Sequence, residues 1–224
     1  MRVAPERLRG WLTRFSASHG AVTSTVTAAQ VVVSATDGAV ARLGLTWGPL
    51  AADGDPLDAL IVQATAAHRF GVLLVRKGAH AVALFDSTTM VCHRRGTHYV
   101  QGRTKAGGWS QPRYARRRQN QAERSYAKAA EDAAAVLLGR AGIEALFTGG
   151  DGAGIAAVLA TPSLAPLGQL PRPEPRVLPV ADPTVAVLRE FGERVRSVPI
   201  ILNEAARVRP STPQRDDRSG DQAD

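Results

Sequence analysis

The chain has 224 residues, a formal net charge of +8 and 44% hydrophobic residues. That length suits one domain or two small ones with a real core, and a charged fraction of 21% excludes a disordered body. No run approaches 18 consecutive apolar residues, the N-terminus has no apolar stretch suited to a signal peptide, and the single cysteine, Cys92, excludes an intrachain disulfide and a multi-cysteine zinc module, so a soluble cytoplasmic protein is expected.

Residues 5–18 read as a short amphipathic helix with Leu8, Trp11, Leu12 and Phe15 on one face. Residues 21–46 alternate and are rich in Val and Thr, and Asp37-Gly38 inside them signals a hairpin. A helix is expected from Pro56 to about His68. Four short strands follow, at 70–76, 80–86, 89–93 and 97–101, linked by Lys77-Gly78-Ala79 and Arg94-Arg95-Gly96 in an antiparallel meander. A glycine-rich loop covers 102–112, and a long helix runs from about Arg113 to Leu138. Residues 143–148 read as a strand, and the glycines from Gly149 to Gly154 turn it into a further helix. Six prolines in 161–179 predict an extended excursion; a helix at 184–195 and a last strand at 197–202 follow. The expected organisation is a single unit over 1–209, with 1–55 as a helix and hairpin extension, and a polar, disordered tail over 210–224.

The charge is concentrated. No acid occurs from Ser87 to Ala122, and ten basic residues between Arg94 and Lys128 face one acid, Glu123. That segment carries +9, which leaves −1 for the rest of the chain. A near-neutral protein with one cationic element is the footprint of a polyphosphate partner. On a helical wheel Ala115, Ala122, Tyr126, Ala129, Ala133, Val136 and Leu137 share one side of the long helix. Arg113, Arg117, Asn120, Arg124 and Lys128 share the other, so one face packs while the opposite one is a cationic stripe.

The segment Gly102–Ala134 resembles the catalytic loop and following helix of archaeal and eukaryotic class I peptide release factors. There a Gly-Gly-Gln loop precedes a helix of the type S-x-x-RFAR-x-R. Here Arg113-Tyr114-Ala115-Arg116-Arg117-Arg118 is similar to that helix, with Gly107-Gly108 at the same distance before it. The third motif position is Trp109, and the glutamine comes two residues later, as Gln111. A displaced glutamine of this kind resembles the Vms-like release factors, and among them the short actinobacterial branch. The match covers about 33 residues firmly and extends over roughly 70–160 in element order.

The resemblance implies an α/β fold with a central mixed, largely antiparallel sheet flanked by helices. It implies no cofactor and no metal, and hydrolysis of the ester joining nascent peptide to tRNA on stalled large ribosomal subunits. The implied partners are the large subunit, its rRNA and peptidyl-tRNA, met by a monomer. Gly107 and Gly108 would allow close approach to RNA. Gln111 would position the water, with its side chain or its backbone N–H at the oxyanion. A neutral amide suits that task because it does not titrate and both donates and accepts. Arg103, Lys105, Arg113, Arg116, Arg117, Arg124 and Lys128 would hold phosphates. Trp109 would either stack on a base or fold back as an apolar anchor. Read without the resemblance, Gln111 is simply the start of a helix, with Ser110 as its cap and Pro112 in its first turn. A non-catalytic RNA-binding protein on the same fold is the alternative.

Two weaker patterns are set aside. Cys92 and His93 are adjacent in a strand and point to opposite faces, so with His98 they make a poor metal site. The glycines of 148–159 lack the spacing of a dinucleotide loop and fit a tight strand-to-helix turn.

Overall fold

A computed structural model of the chain describes residues 1–51, 54–97, 111–173 and 175–208, and over 111–119 the backbone alone. Residues 98–101 of the strand expected at 97–101, residues 102–110 of the loop expected at 102–112 and the tail from 210 lie outside the described residues, while Gln111 and Pro112, expected to end that loop, open a helix instead.

The first sheet gathers both ends of the chain. Strand β1 (Arg2–Val3) leads into helix α1 (Pro5–His19), which Pro5 opens in its first turn. Three strands follow, β2 (Val22–Val26), β3 (Gln30–Ala35) and β4 (Val40–Gly44). The expected single hairpin is therefore three strands. One reversal is the Asp37-Gly38 turn, with Gly38 at φ 86°. The other is Thr27-Ala28-Ala29, which has no glycine or proline. It closes because the Thr27 hydroxyl accepts from the Gln30 N–H, 3.2 Å, while the Thr27 N–H donates to the Gln30 carbonyl. The last strand, β9 (Val198–Leu202), inserts between β1 and β4, giving the antiparallel order β1-β9-β4-β3-β2. Alternate residues Val31, Val33, Ala41, Leu43, Val198 and Ile200 face one core. Leu8 and Phe15 of α1 cover it, with Leu60 and Ile61 of α2 (Pro56–Thr65). The Asp55 carboxylate caps α2 by accepting from the Leu57 and Asp58 N–H groups.

The second sheet is the mixed one. Its strands are β5 (Arg69–Arg76), β6 (Ala79–Asp86) and β7 (Thr89–Thr97), then β8 (Ala145–Gly150) after the long helix α3 (Gln111–Leu137). The order is β7-β6-β5-β8; β5 to β7 are antiparallel, and β8 is parallel to β5. The strand β5 is buried along nearly its whole length because helices cover both faces. On one side lie α3 and α4 (Gly152–Leu159), with the one-turn α5 (Ala165–Gly168) behind them; on the other lies α6 (Val185–Arg196) with Leu188, Phe191 and Val195. The two sheets meet through Trp47, which packs on Phe70 and Phe147, and through the Arg196–Glu6 ion pair, 2.8 Å.

Two sequence expectations need correction here. Arg94-Arg95-Gly96 is not a link between strands. It continues β7, with His80 opposite Gly96 and Val82 opposite Arg94. Gly96 is required for packing, since a Cβ there would run into the His80 ring. A bulge also places Val91 out of register, so Met90 faces the α6 side while Cys92 faces α3. The proline-rich excursion, in turn, is held along the open edge of β8. The Leu146 and Gly150 N–H groups donate to the Pro171 and Leu178 carbonyls, 2.9 Å each, and the Leu178 N–H donates to Thr148. Prolines bring few N–H groups of their own, and they seal an edge that would otherwise recruit a foreign strand.

Candidate nucleic-acid interface and catalytic loop

Helix α3 leaves the sheet partway along its length. Among its described side chains the buried ones are Ser125, Ala129, Ala130, Asp132, Ala133, Val136 and Leu137, at helical spacing. The small alanines let the helix lie close on β5 and β6. N-terminal to Ser125, Asn120, Glu123 and Arg124 are exposed and Gln121 and Ala122 half-buried. Tyr126 marks the rim, where it lies against Val75 at the end of β5 and against Gly154 of α4.

The helix runs antiparallel to β7. The Cys92 Sγ lies 3.9 Å from the Val136 carbonyl, and the Arg94 Nη1 lies 3.4 Å from the Asp132 Oδ1. Beyond Arg94, β7 has three more described residues, about 10 Å, and the last, Thr97, pairs with Ala79 at the start of β6, where β5 and β6 turn. Beyond Asp132 the helix has 21 more, about 32 Å. Its first part therefore overshoots the β5–β6 end of the sheet by roughly 20 Å. The overhang starts at Gln111, with Pro112 next to it in the first turn.

The expected site residues distribute along this arm. Gln111, Arg113, Arg116 and Arg117 lie on its first two turns, with only the backbone described. Gly107, Gly108, Arg103, Lys105 and Trp109 fall outside the described residues, in the segment joining β7 to α3. Arg124 is exposed on the overhang. Lys128 lies one turn further along, at the root. Its Nζ is 3.0 Å from Glu131 and 3.4 Å from Asp132, so its charge is already shared with two carboxylates.

Sequence reasoning missed the cluster at that root. Asp132 is 4% exposed and collects partners from three elements. His80 of β6 donates from Nε2 to Oδ2, 2.9 Å; Arg94 of β7 and Lys128 of α3 reach Oδ1, 3.4 Å each. The signal was present: a carboxylate between Ala129 and Val136 on the apolar face of a helix. Burial opposes its ionisation, but hydrogen bonds from His80, Arg94 and Lys128 outweigh that and hold the carboxyl below the usual aspartate range. Such a group stabilises the fold above its unfolded value, about 3.9, and loses that contribution as pH falls toward the lower folded value. Thermal melts between pH 6 and pH 2 should show wild-type stability falling below about pH 4. The fall should be shallower in Asp132→Asn.

None of the four principal clefts is lined by a residue of α3. One, of about 440 Å³, sits at the junction of the sheets between Trp47, Glu144 and Pro171–Pro173, and contains none of the expected site residues. Among the described residues no group of three or more metal-ligating side chains is found, and no helix is long and apolar enough to cross a membrane. The candidate site is thus a projecting element.

Residues 68–201 match the family described as Actinobacteria/chloroflexi VLRF1 release factor. Among solved structures, an archaeal translation termination factor, aRF1, is similar with 14% identity and a TM-score of 0.43, over 73% of this chain and 51% of that one. The chain therefore spans about half the length of that factor. A structure described as the Vms1 mitochondrial localization core is similar with 11% identity and a TM-score of 0.40, over 88% of this chain and 82% of that one. No curated protein matches the chain.

Proposed function

The chain belongs to the Actinobacteria/chloroflexi VLRF1 release factor family, and its role is of the translation release-factor type; on that premise we propose that it is a peptidyl-tRNA hydrolase acting on stalled large ribosomal subunits. Water attacks the ester carbonyl carbon. The bond from that carbon to the tRNA ribose oxygen breaks, and the ribose oxygen leaves with a proton. The nascent peptide departs with a free carboxylate. The ester is already activated, so orienting one water and donating one hydrogen bond to the developing oxyanion suffices, without a strong base. In this reading Gln111 performs both, through its side chain or its backbone N–H, and Gly107 and Gly108 keep the tip thin.

The observation that carries this reading is the overhang of α3. An ester at the end of a narrow RNA-lined cavity needs a slender probe with cations along its flank. The helix supplies a cantilever of about 20 Å with the glycine-rich segment at its start. The arginines along it grip rRNA and tRNA phosphates, which sets position and carries no sequence information. The protein acts in the cytoplasm as a monomer and reads no stop codon.

The test is peptide release from purified large subunits carrying peptidyl-tRNA, with subunit binding measured in parallel. Tight binding without release would point to an RNA-binding module on the same fold. The stripe has its own signature. Arg124→Gln should weaken subunit binding and reduce the slope of log affinity against log salt by about 0.7–0.9, one phosphate contact. An unchanged slope would remove Arg124 from the interface.

A further inference from the structure

The arm is only as well aimed as its root. Around Asp132 the buried neighbours on α3 are Ala129, Ala130 and Ala133, and an alanine face resists sliding and rolling poorly because it offers few interlocking side chains. Tyr126 is hydrogen-bonded to Asp151 and Cys92 to the Val136 carbonyl, but the fastening that ties α3 to two strands at once is Asp132. It joins His80 on β6, Arg94 on β7 and Lys128 on α3 itself. The fastening is built into the strands as well. Gly96 clears the space in which the His80 ring lies against β7, and Arg94 stands two residues before it. Arg94 and Gly96 immediately precede the segment that leads to the glycine-rich tip, and Asp132 lies on the helix that follows it. The cluster therefore staples together the two stems of that segment.

We infer that Asp132 is a positioning residue for the hydrolytic tip, acting through the aim of the α3 arm rather than through contact with substrate. The inference rests on the hydrolase reading above. The lever explains how one buried carboxylate governs a site so far away. Gln111 lies 21 residues from Asp132, about 32 Å along the helix axis. A tilt of about 3° at the root moves the tip by roughly 1.7 Å over that length. A misplacement of about 1 Å at a reacting group can cost on the order of 100-fold in rate. Stability and aim are thus separable: a root that is still folded but loosened binds RNA through the same arginines and delivers Gln111 to the wrong place.

The experiment compares wild type with Asp132→Asn, which keeps the side chain's size and removes its charge. Leu8→Ala serves as a control that destabilises the other core, at a temperature where all three are folded. Single-turnover release should fall about 10- to 100-fold in Asp132→Asn, while the subunit concentration for half-maximal rate stays within about twofold. Leu8→Ala should lower the melting temperature and leave release unchanged. An independent readout is the spin-label distance distribution between Asn120→Cys on the arm and Glu190→Cys on α6, in a Cys92→Ala background. Asp132→Asn should broaden or shift it.

Unchanged release together with an unchanged distribution in Asp132→Asn would overturn the inference, as would an equal loss of release in Leu8→Ala. Should wild type release nothing, the hydrolase reading fails on its own, and the distance distribution alone decides whether Asp132 aims the arm. If Asp132→Asn does not fold, Arg94→Gln, at the solvent-facing limb of the cluster, carries the same comparison. A drop in release of several-fold at constant half-saturation would then support the inference, and no drop would overturn it.

Discussion

Gly150→Ala should lower the melting temperature by roughly 5–15 °C, on a cost of about 2–4 kcal/mol. Gly150 ends β8 with φ 108°, a conformation costly for any residue with a side chain. A Cβ there would also run into the Val75 carbonyl oxygen across the parallel β5–β8 pair. That carbonyl accepts from the Asp151 N–H at 2.7 Å, and Asp151 in turn caps α4 by accepting from the Ala153 N–H. One added methyl therefore disturbs the strand end, the cap and the helix together. Gly168→Ala is the matched control, because a Cβ there meets nothing within 4 Å, and it should cost less than about 0.5 kcal/mol. Differential scanning calorimetry separates the two. Equal melting temperatures would mean that the chain relaxes around Gly150 without difficulty.

Gln111→Ala should slow peptide release by about 10²- to 10³-fold and leave subunit binding intact. The magnitude is that of one lost donor at a developing oxyanion. Binding is spared because the phosphate contacts assigned here lie on other residues, Arg113, Arg116, Arg117 and Arg124 among them. Rapid-quench release assays with a parallel sedimentation measurement check both halves. A loss below about tenfold would move the role from the side chain to the backbone N–H, which alanine retains. A parallel loss of binding would instead make Gln111 an RNA contact.

Much of the fold is legible in the amino-acid sequence. The helices α1, α2, α3 and α6 carry plain 3.6-residue periodicity. The run 70–76 announces a strand, and Asp37-Gly38 announces a turn. The features that escape a sequence reading are those decided by tertiary contacts. Arg94-Arg95-Gly96 has the composition of a turn, yet the glycine serves the His80 ring, which comes from a neighbouring strand. The Thr27 turn has no glycine or proline because one hydroxyl closes it. The pairing of β9 with β1 joins segments nearly 200 residues apart, and its pairing with β4 segments about 160 apart, which no local pattern encodes.

The site divides the same way. The charge run and the Arg-Tyr-Ala-Arg helix are visible in the sequence, because both are local. The overhang is not, since it depends on where β5 and β6 turn relative to α3. The root cluster is half-visible: Asp132 stands out on an apolar face, but His80 and Arg94 are 52 and 38 residues away. Lys128, which belongs to the stripe by its phase, is also tied into that cluster. Its charge serves the arm's attachment at least as directly as any phosphate.

The proposed function requires that water attack the peptidyl-tRNA ester at the tip of this arm. A single-turnover release reaction on purified large subunits carrying peptidyl-tRNA decides it, run in water enriched in oxygen-18, with the released peptide analysed by mass spectrometry. One heavy oxygen in the new C-terminal carboxylate, appearing at the rate of release and absent without the protein, is the predicted result. Subunits that bind the protein and keep their peptide, or a peptide released without the label, would contradict it.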